Sequence, residues 1–130
     1  MSSFKMVHEV NPRDELIHAV GDLSKIKLFN NQILCAVYKR PEKTKSGIIL
    51  TDNTRKEDEY QGKVAVVLKK GPMAFQDDSQ TSFNGQDVEV GDWVVFRVSD
   101  GWQVTVNGVL CRMLQDIQIR MTIDSPDMVF

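Results

Sequence analysis

Hydrophobic positions fall into short blocks along this chain, and most blocks are too short for a helix. Ile33-Leu34-Cys35-Ala36-Val37-Tyr38 is a continuous apolar run closed by Lys39-Arg40-Pro41. Its length and the proline that follows predict a strand. Residues 64–68 form a second apolar run, between Gly62 and Gly71-Pro72, and 94–98 a third, launched by Gly91-Asp92. Asp100-Gly101 then separates Val98 from Trp102, and Asn107-Gly108 separates 102–106 from 109–113. An Asn-Gly pair accepts positive φ at both central positions and so predicts a tight type I′ hairpin. Ile117, Ile119 and Met121 alternate with Gln118 and Arg120, which predicts a last strand. Roughly five or six short strands with turn signals between them indicate an all-β small barrel or sandwich and argue against an α/β fold.

Residues 1–29 follow a different pattern. Asn11-Pro12 is a helix start, with Asn as the N-cap and Pro at the first helical position. Asp14 and Glu15 occupy the first turn, where the helix dipole favours acids. Leu16, Ile17, Ala19 and Val20 give a short apolar face, and Gly21 ends it. A helix of about two turns must dock on something to persist. Docking on its own domain is the plain reading, and a partner-binding arm the sharper one.

Two long segments carry little regular pattern. Segment 39–61 is dense in charge, from Lys39, Arg40, Glu42, Lys43 and Lys45 to Arg55, Lys56, Glu57, Asp58 and Glu59, with one apolar tripeptide, Ile48-Ile49-Leu50, after Gly47. Segment 71–87 is rich in Gln, Asp and Ser, with Met73, Phe75 and Phe83 as its large apolar members. The tripeptide reads either as a short strand or as the apolar tip of a solvated arm. In the second case its three aliphatic side chains offer about 1.5–3 kcal/mol each on full burial, against an ordering cost of several kcal/mol. One arm would bind weakly, and a ring of identical arms would bind usefully through avidity.

Composition narrows the function classes. The 130 residues are 42% hydrophobic and 26% charged with a formal net charge of −2, the profile of an ordinary soluble domain. A nucleic-acid binder draws affinity from a basic excess that is absent here. No apolar run approaches the roughly 20 residues of a membrane span, and the N-terminus has no apolar signal-peptide core. Neither histidine, His8 or His18, has a second ligand at zinc spacing, so no metal site is expected. Cys35 and Cys111 form no CxxC and read best as buried thiols, with a disulfide still open. Trp93 and Trp102 read as core or hairpin packing. P-loop, GxGxxG and GxSxG motifs are missing. The acidic clusters lie in polar stretches, where a solvated face is the default. No catalytic residue and no cofactor is therefore assigned.

Four segments, in order, carry a resemblance. Thr44-Lys45-Ser46-Gly47-Ile48-Ile49-Leu50-Thr51 is similar to the mobile loop of the GroES-type co-chaperonins, the chaperonin-10 family. Gln61-Gly62-Lys63-Val64-Ala65-Val66-Val67 resembles the strand that follows that loop, with Gly71-Pro72 as its exit. Val88-Glu89-Val90-Gly91-Asp92-Trp93-Val94-Val95-Phe96 resembles the family's V-x-V-G-D-x-V-x-F segment, and Gln115-Asp116-Ile117-Gln118-Ile119 its C-terminal strand. The resemblance spans about 31–121.

The resemblance implies a small irregular β-barrel over 30–122, with a mobile loop at about 41–61 and a dome loop at about 71–87. It implies a ring-shaped homo-oligomer, a heptamer in the family, whose first and last strands pair between neighbours. Gly47, Ile48, Ile49 and Leu50, flanked by Thr44, Lys45, Ser46 and Thr51, would insert into the apical domains of a GroEL-type chaperonin. The ring would cap a folding chamber in the cytoplasm while the chaperonin handles ATP, so this chain would not be an enzyme.

The sequence also departs from the family. Gln32 stands where Arg is usual, one glycine precedes the tripeptide instead of two, and 52–60 is charged. An N-terminal extension, 1–29, and a C-terminal tail, 123–130, are added. Such additions leave a second reading open. In it the chain is a structural component of a symmetric assembly such as a phage particle, located in the virion, with loop and tails as tethers. The GroES-like domain of a zinc alcohol dehydrogenase is disfavoured, because its ligands and its nucleotide-binding domain are missing.

Overall fold

The computed structural model describes residues 11–39 and 62–129. Their order is α1 (Pro12–Val20), β1 (Gln32–Val37), β2 (Val64–Lys70), β3 (Trp93–Val95), β4 (Trp102–Val106), β5 (Val109–Gln115), a 3-10 turn (Asp116–Gln118), β6 (Met121–Ile123) and a second 3-10 turn (Pro126–Met128). The strands form one antiparallel sheet in the order β4-β5-β1-β2-β3-β6. It makes a small irregular all-β barrel, with β4 and β6 at the two ends of the sheet.

Strand alternation sorts the apolar side chains onto two faces. Ile33, Cys35, Ala65, Val67, Val94, Phe96 and Leu114 form one cluster, covered by Ala74, Phe75 and Val88 of the long 71–92 connection and by Ile119. Leu34, Ala36, Tyr38, Val64, Val66, Trp93, Val95 and Cys111 form the other. β1 and the start of β2 are buried on both faces, which is why their sequences read as unbroken apolar runs.

The second face is covered by the N-terminal segment. Asn11 caps α1, its Oδ1 accepting from the amides of Arg13 at 2.9 Å and Asp14 at 3.4 Å, and Gly21 ends the helix at φ 69°. Val20 and Leu28 are buried against the sheet, and Leu16, Ile17, Leu23 and Ile26 pack partly on it. So short a helix is marginal alone and persists through this docking. Two polar ties pin the strap. Asn107 Nδ2 donates to the Val20 carbonyl at 2.6 Å, and the Lys69 ammonium donates to the carbonyls of Leu23, at 2.9 Å, and Ile26. A bulge between Leu34 and Cys35 pairs Leu34 with Lys69 and Cys35 with Val67. The extra residue breaks the strict alternation of β2, so Leu68 and Lys69 can both serve the strap side.

The β4–β5 hairpin turns at Asn107 (φ 50°) and Gly108 (φ 81°), the geometry a type I′ turn requires. Two sequence expectations differ from the structure. The third strand stops at Val95, because the chain turns at Arg97, whose amide donates to Asp100 Oδ2 at 2.8 Å. The alternating stretch Ile117–Ile119–Met121 is not a strand. Asp116 starts a 3-10 turn there, leaving Ile117 exposed and Ile119 packed inward, and pairing resumes only at Met121. Trp93 lies in the core as expected, whereas Trp102 on the terminal strand β4 is 59% exposed.

Asp116 explains that turn. Its carboxylate is buried and accepts from Asn31 Nδ2 at 3.0 Å, the Phe75 amide at 3.0 Å and the Ile117 amide at 2.7 Å. It ties the start of β1, the root of the 71–92 connection and the end of β5 together. Asp116→Ala should cost roughly 2–3 kcal/mol, since buried donors are then left unpaired, and Asp116→Asn should cost less. Urea unfolding of the two variants measures the difference.

Candidate functional site

The tripeptide segment lies between two adjacent antiparallel strands, so its geometry begins with the root they form. Val37 pairs with Ala65, and the Tyr38 amide donates to the Val64 carbonyl at 2.9 Å. On the returning side the Lys63 carbonyl accepts from the Phe96 amide at 3.0 Å. Lys39 is exposed and Gly62 buried. Thr44, Lys45, Ser46, Gly47, Ile48, Ile49, Leu50 and Thr51 lie outside the described residues.

Beneath the root the packing is dense. Tyr38 is 1% exposed and meets the Trp93 ring edge-on, with centroids 5.6 Å apart. Its hydroxyl donates to Asp127 Oδ1 at 3.2 Å. Asp127 belongs to the C-terminal 3-10 turn, capped by Ser125, whose Oγ accepts from the Asp127 amide at 3.4 Å. Asn11, Pro12 and Arg13 share a small cleft with Trp93, Asp124, Ser125 and Pro126, so the beginning of α1 and the C-terminal tail meet there. No local pattern marks Asp127 in the sequence, because its partner is distant along the chain.

The 71–92 connection lies at another side of the barrel. Phe75 and Phe83 meet edge-on at 5.3 Å, and Phe75 takes φ 59°. Its charged residues, Asp77, Asp78, Asp87, Glu89 and Asp92, are all acidic. Asp77 and Asp78 accept amide hydrogen bonds from Phe83, Gln80 and Thr81, so both serve as turn caps. Among the described residues no cluster of three His, Cys, Asp or Glu is arranged to hold a metal ion.

Cys35 and Cys111 are free, buried thiols on opposite faces of adjacent strands. Burial pushes the Cys35 thiol far above its ordinary value and that of Cys111 up to about 11. Both stay protonated near neutrality and are poor nucleophiles. Asp100 is buried at the β3–β4 turn, and Arg120 donates to its carboxylate from Nε and Nη2, each at 3.2 Å. That hydrogen bonding, with the Arg97 amide and the charges of Arg120 and Arg97, outweighs burial and holds the carboxyl below 3.8. Arg112 Nη1 donates to the Val98 and Asp100 carbonyls at 2.8 and 2.6 Å.

Comparison with known proteins places this arrangement. Residues 25–123 match the family model described as chaperonin 10 Kd subunit. The co-chaperonin GroES of Halothermothrix orenii is 35% identical over 83 residues, covering 64% of this chain and 80% of that protein. That of Methylorubrum populi is 36% identical over 84 residues, covering 65% and 81%. That of Parageobacillus thermoglucosidasius is 33% identical over 98 residues, covering 72% and 94%.

The depressed Asp100 carboxyl fixes the sign of one pH effect. Its contribution to stability is present above the ordinary value of 3.8 and is lost as pH falls below it. Asp100→Asn should lower the urea midpoint at neutral pH, and the gap from the unsubstituted protein should shrink at about pH 3. Urea titrations at the two pH values check this.

Proposed function

The chain belongs to the chaperonin 10 kDa subunit family, and from that membership we propose that it acts as a co-chaperonin, capping a GroEL-type chaperonin as a ring of identical subunits. The observation that carries this reading is the placement of the segment holding Ile48-Ile49-Leu50 between β1 and β2, whose ladder forms a fixed root. The tripeptide is the chaperonin-binding element, with Gly47 before it and Thr44, Lys45, Ser46 and Thr51 at its flanks. The aliphatic side chains supply buried area, and repetition around the ring turns weak single contacts into avidity. The chaperonin binds and hydrolyses ATP, and this chain contributes binding and enclosure.

Soluble residence beside a cytoplasmic chaperonin is part of the same proposal, and no helix among the described residues is long and apolar enough to cross a membrane. The reading as a shell component needs free tails as tethers. Val20, Leu28 and Pro126 are instead buried on their own barrel, which weakens that alternative.

Replacing Ile48, Ile49 and Leu50 together by Ser should abolish nucleotide-dependent capture by a GroEL-type chaperonin. The oligomer mass should stay that of the unsubstituted ring. Pull-down with and without ADP, with native mass measurement, checks both. Undiminished capture of the Ser variant would remove the tripeptide from the mechanism.

A further inference from the structure

At least three ties fix Tyr38 immediately before the chain leaves for the tripeptide. Its amide is in the β1–β2 ladder, its ring lies against Trp93, and its hydroxyl reaches Asp127. The third tie comes from outside the family match, which ends at residue 123. A buried phenol needs a partner for its hydroxyl, and the added tail supplies one. The tail is itself anchored. Pro126 is buried, Val129 packs on the sheet face, Ser125 Oγ caps the turn, and the Met128 amide donates to the Ser125 carbonyl at 3.2 Å.

We propose that the C-terminal turn is a clamp on the root of the chaperonin-binding segment, with Tyr38 and Asp127 as positioning residues. The proposal rests on the co-chaperonin reading above. Its physical basis is the ordering cost of association. A segment leaving a fixed root has fewer orientations to lose when it docks, so less of its contact energy is consumed in ordering. Freeing the tyrosine hydroxyl loosens the root without touching the aliphatic contact. The loss should therefore appear in chaperonin affinity and not in ring assembly.

Four variants test the clamp: Tyr38→Phe, Asp127→Ala, the two combined, and Asp127→Asn, which keeps an oxygen acceptor. Affinity for a GroEL-type chaperonin with ADP is measured beside oligomer mass and hydrogen exchange at the Tyr38 and Val66 amides. Tyr38→Phe and Asp127→Ala should each weaken binding about fivefold, the size of one ordinary hydrogen bond. The double variant should lose less than the sum of the two singles, and Asp127→Asn should bind more tightly than Asp127→Ala. Exchange should quicken at Tyr38 and not at Val66, with ring mass unchanged.

Equal affinity in Tyr38→Phe and Asp127→Ala would overturn the clamp, and so would additive losses in the double variant. An Asp127→Asn variant that binds no more tightly than Asp127→Ala would also overturn it. If the triple Ser variant loses binding while Tyr38→Phe does not, only the clamp falls. If the unsubstituted ring does not bind chaperonin at all, both proposals fall.

Discussion

The structure depends on one constraint, a pair of strands buried on both faces. β1 pairs with β5 on one side and β2 on the other, and its residues from Ile33 to Val37 are all buried. A strand of this kind has no solvent face, so each side of the sheet needs a cover. The 71–92 connection and Ile119 cover one side, and α1 with 22–29 covers much of the other. The long connection and the N-terminal extension are thus covering layers on the sheet. Deleting either would leave a row of apolar side chains in water, at about 25 cal/mol for each Å².

Polar groups then fix where those covers sit. Hydrophobic contact is non-directional, so the apolar packing of the two covers does not by itself fix their position. Lys69 and Asn107 hold backbone carbonyls of the N-terminal strap, and Asp116 holds the backbone of the connection at Phe75. Asp100 performs the same service at the β3–β4 turn, joined by Arg120 from just before β6. Lys69, Asp100 and Asp116 are buried or half-buried polar groups with their partners in place, the condition under which such groups specify one arrangement.

Much of this was legible in the sequence, and what was legible was local. The runs at 33–38 and 64–68, the Asn11-Pro12 cap and the Asn107-Gly108 turn each express a preference of a few adjacent residues. The structure keeps all of them. The misreadings came where a distant group overrode a local pattern. Ile117, Ile119 and Met121 alternate as a strand should, but the turn at Asp116 is set by Asn31 and Phe75. Asp127 lies in a stretch without periodicity, and its role depends on a tyrosine 89 positions earlier. The segment holding Ile48-Ile49-Leu50 lies outside the described residues, and its pattern leaves two readings open, because a short aliphatic run among charges has no period to separate a strand from an arm.

The two additions to the family domain converge. Residues 12–24 precede the matched region and 124–129 follow it, yet Asn11, Pro12 and Arg13 share one cleft with Asp124, Ser125 and Pro126 against Trp93. Trp93 in turn supports the ring of Tyr38, the buried residue that directly follows β1. Appendages whose only effect was bulk would have no reason to meet at that place. A cap that binds through small aliphatic contacts gains affinity either by enlarging the contact or by lowering the ordering cost of making it. On the co-chaperonin reading proposed above, the added residues lie beside the root of the binding segment, where they would act on that cost.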